Sequence, residues 1–376
     1  MLSLTVTMLM LSAAGDDAIR IGAYAPVSGS SAAKGEAFRS GAVLAAEEVN
    51  AAGGVLGKKI ALVFGDDEAK PERCLQLVRD FLDKEHVVAI VGGANTGVCA
   101  GAIPLTNERR IPHVLAAATG NKVNELFAQF PQNYVFRIGA SDALQCEMMV
   151  TEAFAARGKS KAALLCDEGP LGVQGRARLE AFIAKRGQKP AYSGTFKAGD
   201  TDMTAQVKAA RAAGAEVLLV IGQGAESAAI ARSLEKIGWK VPILGTWNLA
   251  GPEFTEKSGP YGEGAVMPQT FIEASATEPG ETKFLEAYRK RYGKPHVSMG
   301  PMAAQAYDAV HFLALGMRQA GSTEGAKVKA ALENLQGTYE GATGEYFGPW
   351  KPEDHEVVPS NVVLGMVKGG TIVRAP

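Results

Sequence analysis

Two hydrophobic periods alternate along this chain. Residues 19–25 form a largely apolar run closed by Pro26, Ser28 and Gly29. The stretch EAFRSGAVLAAEEVNAAGG then places Phe38, Gly41/Ala42, Ala45 and Val49 at helical spacing, and Gly53 and Gly54 stop it. Residues 59–64 read as a second strand, Asp66 and Asp67 as a solvated turn, and Pro71 as the opening of a helix with Leu75, Val78 and Phe81/Leu82 on one face. A third apolar run, residues 87–91, precedes a helix expected over 98–108 and a strand over 112–116. Near-continuous apolar strands alternating with helices predict an α/β fold with a doubly wound parallel sheet covered on both faces.

The rhythm then restarts. Strands are expected over 134–138, 161–166, 191–196, 216–221 and 242–245, separated by helices over 142–156, 172–185, 202–213 and 226–237. Helices over 281–292, 302–319 and 324–335 follow, and strand-like alternation returns at 362–367 and 371–373. Two lobes of similar, Rossmann-like build imply a cleft between them.

Composition narrows the partners. The chain has 376 residues, 47% of them hydrophobic, enough to fill two cores. With 39 Lys and Arg against 40 Asp and Glu, the formal charge of -1 gives no field to attract nucleic acid or an anionic membrane. A small molecule or another protein is the expected partner. Residues 1–11 are apolar and lead into Ser12, Ala13 and Ala14, a small-x-small pattern that predicts a signal peptide cut after Ala14 within a leader over 1–18. The pattern lacks a basic n-region, and a short buried strand or helix is the other reading of this segment. The cysteines Cys74, Cys99, Cys146 and Cys166 have no C-x-x-C spacing, which excludes a zinc ribbon or thioredoxin-type site. Either Cys74 and Cys99 pair, or all four are small buried hydrophobes.

Catalytic signatures fail one by one. GQGAES at Gly222 has Ser227 where a dinucleotide fingerprint needs its third glycine, and no ribose-binding acid follows residues 242–245. Gly92 to Gly97 begins like a P-loop, but Val98 and Cys99 stand where Lys and Ser/Thr are required. The chain contains no G-x-S-x-G and no H-E-x-x-H. No metal site, cofactor or catalytic role is expected.

What remains is a pair of loops. In AIVGGANTGV a core strand breaks into small polar residues just before a helix. In a doubly wound sheet ligands bind outside the carboxyl ends of strands. A helix starting near Val98 would leave the N–H groups of Thr96, Gly97 and Val98 open to an anion, beside Asn95 and the Thr96 hydroxyl. The next strand ends in Ala116, Ala117, Ala118, Thr119, Gly120 and Asn121, so Thr119 and the Ala117 backbone are expected near Thr96, where they form a polar patch suited to a carboxylate.

The run IRIGAYAPVSGSSAAKGEAFRSGAVLAAEEVNAAGGVLGKKIALVFGDDEAKPE resembles the N-terminal lobe of type I periplasmic binding proteins of the leucine/isoleucine/valine class. NAAGGVLGKKI followed by GDDEAKPE is specific to that family, AYDAV at residues 306–310 agrees, and the likeness runs from Ile19 onward. It implies two lobes joined by a three-strand hinge, with crossovers near 137–141, 264–268 and 343–349. The lobes would be 19–137 plus 268–345 and 138–267 plus 346–376. It also implies a substrate-binding receptor that closes over a small carboxylate-bearing solute and delivers it to an inner-membrane ABC permease from the periplasm. The solute would be a hydrophobic or branched-chain amino acid or an aromatic carboxylate. A cytoplasmic amide- or urea-type sensor of the same fold is the alternative.

The resemblance places Thr96, Ala117 and Thr119 on the ligand's carboxylate and ammonium, with Asn95 and Gly97 beside them. Lys34 falls where relatives present an aromatic side chain, and is otherwise a surface lysine. In the second lobe it points to Asp142, Glu168, Leu171, Gln223 and Trp247. Trp247 stands where relatives often carry an acid, and Leu171 where a tyrosine is frequent. Trp247 cannot neutralise an ammonium, but it can cover an apolar or aromatic body. Glu168 is the candidate replacement for the acid.

Overall fold

The computed structural model describes residues 8–10, 17–120, 122–356 and 361–376. The chain divides into two compact units, Met1–Ala140 with Ala276–Asn361, and Ser141–Ser275 with Val362–Pro376.

The first unit begins with β1 (Met8–Met10), β2 (Ile19–Ala25), α1 (Ala32–Ala51), β3 (Ile60–Asp66), α2 (Pro71–Asp83) and β4 (Ala89–Gly92). It continues through α3 (Thr96–Cys99), α4 (Ile103–Glu108), β5 (His113–Leu115), α5 (Lys122–Phe127) and β6 (Val135–Arg137). Its sheet runs β1-β3-β2-β4-β5-β6. Every pairing is parallel except that of β1, which lies antiparallel to β3 with Leu9 opposite Phe64. Part of the expected leader is therefore an edge strand, and residues 1–7 and 11–16 lie outside the described residues.

The second unit holds α6 (Asp142–Thr151), which runs into a π-helical turn over Glu152–Ala156. It continues as β7 (Ala162–Asp167), α7 (Pro170–Ala184), β8 (Tyr192–Phe196), α8 (Thr204–Ala212), β9 (Val217–Ile221), α9 (Gly224–Lys236), β10 (Ile243–Gly245), α10 (Pro252–Thr255) and β11 (Val266–Gln269). The chain returns to the first unit for α11 (Pro279–Tyr292), α12 (Gly300–Ala320), α13 (Gly325–Glu333) and a hairpin of β12 (Thr338–Gly341) and β13 (Gly344–Phe347). It ends in the second with β14 (Val363–Lys368) and β15 (Thr371–Arg374). The second sheet runs β15-β14-β11-β10-β9-β7-β8, with β14 and β15 antiparallel to their neighbours.

The strands form where both faces are covered. All of β4 and β9 is buried, as their uninterrupted apolar sequences require. The inward face of α1 is as its spacing predicts, with Phe38, Gly41, Ala42, Ala45 and Val49 all buried. It packs on α12 at close range: a Cβ added to Gly41 would stand 1.9 Å from the Ala303 carbonyl oxygen. Backbone cannot swing aside as a side chain can. Gly41→Ala is therefore expected to destabilise the protein by about 1–3 kcal/mol in urea unfolding. A loss under about 0.5 kcal/mol would mean that the helices separate freely.

Several expectations need correction. The single helix expected over 98–108 is two short ones, because Pro104 lies in the first turn of α4 and lacks the N–H that a continuous helix needs. The boundaries of the units also shift. Residues 138–140 stay with the first unit, where the Ile138 N–H donates to the Leu115 carbonyl at 3.0 Å. Residues 268–275 belong to the second, because β11 runs on to Gln269 opposite Val363 of β14. Residues 346–361 belong to the first, where the buried Trp350 ring lies 5.0 Å from Phe136 and 4.7 Å from Phe312, and His355 stacks on Phe136 at 4.1 Å. Asp66 and Asp67 are not a solvated turn. Asp66 accepts the N–H groups of Val27 and Glu68, and Asp67 is buried, its carboxyl pushed up to about 6 by desolvation. The four cysteines are free and buried, so the hydrophobe reading holds and the Cys74–Cys99 pairing does not.

Candidate functional site

In the first sheet β4 and β5 are neighbours, with Gly92 opposite Leu115, so the loops that follow them emerge side by side. They are joined by a hydrogen bond: the Gly120 N–H donates to Thr96 Oγ1 at 2.8 Å. The approach requires glycine, since a Cβ at residue 120 would sit 2.8 Å from both Thr96 Cγ2 and Oγ1. The Ala117 N–H donates to the Gly93 carbonyl at 3.2 Å, which fixes the second loop along the first. Thr96, Ala117 and Thr119 are thereby brought to one place, with both threonines half-buried. Asn121 lies outside the described residues.

The donors differ from those expected at a helix N-terminus. Helix α3 starts at Thr96 and is only four residues long, so its dipole is small. The Val98 and Cys99 N–H groups both close on the Asn95 carbonyl at 3.1 Å, and the Val98 N–H is therefore not open to an anion. Asn95 holds the N-cap position without a side-chain capping bond, and Gly97 is exposed in the first turn. The polar groups remaining are the Thr96 and Gly97 N–H groups, the Thr96 hydroxyl, the Ala117 carbonyl and the N–H and hydroxyl of Thr119. Among the described residues Thr119 has no hydrogen-bond partner. Lys34 lies in the first turn of α1, half-buried, and not in the preceding connection.

In the second sheet the neighbouring strands β7, β9 and β10 end together, and their following loops carry Glu168, Gln223 and Trp247. The Trp247 N–H donates to Gln145 Oε1 at 3.0 Å, its carbonyl accepts from Gln269 at 3.4 Å, and the residue is half-buried. Gln223 is exposed at the N-cap of α9. Glu168 is exposed and accepts the Thr195 hydroxyl at 3.1 Å. Leu171 packs against the core cluster that contains Cys166 and Ile221. Asp142 is the first residue of α6, where a carboxylate complements the helix dipole, and Ser141 caps the helix through the Leu144 N–H at 3.2 Å.

Below the paired loops His113 on β5 is fully buried, with Nε2 3.0 Å from the Tyr24 hydroxyl and Nδ1 3.5 Å from Thr106 Oγ1. Desolvation lowers its pKa to about 3 from an ordinary 6.5, so it is neutral when folded. Between those values the unfolded chain binds the extra proton, and the stabilisation present above pH 6.5 is lost on acidification towards pH 3. His311 acts in the same sense, its pKa also lowered to about 3. Asp67 and Asp308 act oppositely: with pKa values raised to about 6, they gain stability as pH falls from there towards 3.8. His113→Gln is expected to flatten the acid loss of stability by up to about 1.4 kcal/mol per pH unit in urea titrations. Parallel profiles for variant and parent would show that His113 does not contribute.

Each unit is a largely parallel α/β sheet whose strands run into loops ahead of helices, the place where such sheets bind ligands. The profile of the periplasmic binding protein family matches residues 18–371, and the chain belongs to that family. A relative named Leu/Ile/Val-binding protein homolog 3, from Brucella melitensis, is 29% identical over 317 residues, covering 84% of this chain and 83% of that protein. A type 1 periplasmic binding protein from Bordetella pertussis Tohama I has 27% identity and a TM-score of 0.81, over 96% of this chain and 100% of the other. A branched-chain amino acid transporter substrate-binding protein from Streptococcus pneumoniae, solved with isoleucine, shares the fold at 24% identity and a TM-score of 0.79, over 96% and 100%.

The notable residues that the sequence reading missed are Arg137, Asn124 and Glu356, which support the second loop from behind. The available signal was a charge ending an otherwise apolar strand. Among the described residues no group of three or more His, Cys, Asp or Glu is placed to hold a metal ion. No described helix is long and apolar enough to cross a membrane.

Proposed function

We propose that this chain is the solute receptor of an ABC importer, working in the periplasm and delivering its cargo to an inner-membrane permease. The cargo is a hydrophobic amino acid whose carboxylate is held by the Thr96 hydroxyl and the Thr119 N–H and hydroxyl. The Ala117 carbonyl faces the ammonium. The single observation that carries this reading is the Gly120–Thr96 hydrogen bond, which joins the two loops into one polar patch. The patch offers hydroxyls and main-chain groups suited to binding, and the chain acts as a receptor and not as a catalyst. The name of the relative Leu/Ile/Val-binding protein homolog 3 favours an amino-acid receptor over an amide- or urea-type sensor of the same fold.

The test is a thermal-shift screen followed by calorimetry, with hydrophobic L-amino acids, benzoate-like acids, short amides and urea. A true solute at a hundredfold excess over its Kd adds about 2.7 kcal/mol of stability. Stabilisation by L-leucine, L-isoleucine or L-valine supports the proposal. Stabilisation confined to amides or urea overturns it.

A further inference from the structure

We propose that Arg137 and Glu356 form a clamp that sets the shape of the 117–120 loop and so its grip on a carboxylate; the clamp's bearing on a ligand rests on the function proposed above. Arg137 closes β6, next to Leu115 at the end of β5, and its side chain is 0% exposed. From there Nη1 donates to the Ala118 carbonyl at 3.4 Å and to the Gly120 carbonyl at 3.3 Å. Nη2 donates to Asn124 Oδ1 at 2.8 Å and to Glu356 Oε1, and Asn124 Nδ2 donates to that same carboxylate oxygen at 2.6 Å. The guanidinium lies 6.0 Å from the centre of the Phe127 ring.

Each part has a physical reason. A guanidinium buried this deeply is tolerable only when a counter-charge and hydrogen bonds replace water, and Glu356 with Asn124 supplies both. The planar fork divides its work between two nitrogens, Nη1 on the Ala118 and Gly120 carbonyls and Nη2 on Asn124 and Glu356, a fixed spacing that the single nitrogen of a lysine ammonium cannot reproduce. Drawing the Ala118 oxygen back towards Arg137 orients the peptide between Ala118 and Thr119. That peptide is trans, so its N–H points away from the arginine. The Thr119 N–H is the donor assigned to the solute carboxylate, and Arg137 is the residue that aims it. Both anchors stand close to points where the chain leaves the first unit, after Ala140 and after Asn361.

Arg137→Lys and Glu356→Gln in the full chain test the clamp by two measurements. One is amide hydrogen exchange of the ligand-free protein, and the other is calorimetric titration with L-leucine. Exchange in peptides covering 116–120 is expected to rise about tenfold, exchange elsewhere in the first sheet to stay unchanged, and affinity for L-leucine to fall about tenfold. Glu356→Gln keeps the fork in place and guards against a folding defect in the lysine variant. Unchanged loop exchange in both variants overturns the clamp, and raised exchange with undiminished affinity overturns its role in binding. Failure of the parent protein to bind L-leucine, L-isoleucine or L-valine counts against the proposed function, while the exchange result still decides the clamp.

Discussion

Asp308→Ala is expected to destabilise the protein by about 3–5 kcal/mol, because it orphans several buried donors at roughly 1–3 kcal/mol each. Asp308 is fully buried on α12 and accepts from the Tyr339 hydroxyl and the Ala342 N–H on one oxygen, both at 2.8 Å. Its other oxygen accepts the Thr343 N–H at 2.8 Å and the Thr343 hydroxyl at 2.6 Å. Burial pushes the carboxyl up to about 6, against the downward pull of these bonds, so it is ionised at neutral pH. The hairpin of β12 and β13 turns around this carboxylate, with Tyr346 bonded to Thr343 at 2.6 Å. The substitution therefore loosens the hairpin as well as the helix that carries the acid. Urea unfolding measures the loss, and a value under about 1 kcal/mol would falsify the account of the hairpin's anchor.

Thr96→Val and Thr119→Val are each expected to weaken solute binding by about 1.5–3 kcal/mol, the range for a lost hydrogen bond to a charged group. The two losses should not add. Thr96 Oγ1 holds the Gly120 N–H, so its removal also releases the residue beside Thr119. A double-mutant cycle by calorimetry is expected to give a coupling of at least about 0.5 kcal/mol. Strictly additive losses would mean that the loops act separately, and unchanged affinity in either single variant would remove that residue from the site.

Much of this arrangement is legible in local sequence. Runs such as residues 87–91 and 217–221 are apolar on every position because helices cover both faces of their sheets, and this alone indicates parallel strands. The pairing of the two loops follows from the same rule, since Thr96 and Thr119 each follow a strand and those strands are neighbours. What escapes is set by contacts distant along the chain. The β12–β13 hairpin depends on a carboxylate 34 residues before Ala342, and the exposed Phe347 conceals any simple alternation in its strands. Trp350 and His355 join the first unit through Phe136, more than two hundred residues earlier. Arg137 reads in sequence as the edge of a crossover, and only the fold brings Glu356 to it. The early end of α3 turns on Pro104 in the first turn of α4, a breaker inside the single helix expected over 98–108.

The most direct test of the central claim is a crystal structure of the protein with a bound hydrophobic amino acid. The account predicts carboxylate oxygens about 2.7–3.2 Å from the Thr119 N–H and the Thr96 hydroxyl. A carboxylate held by other groups, with both threonines out of reach, would contradict it.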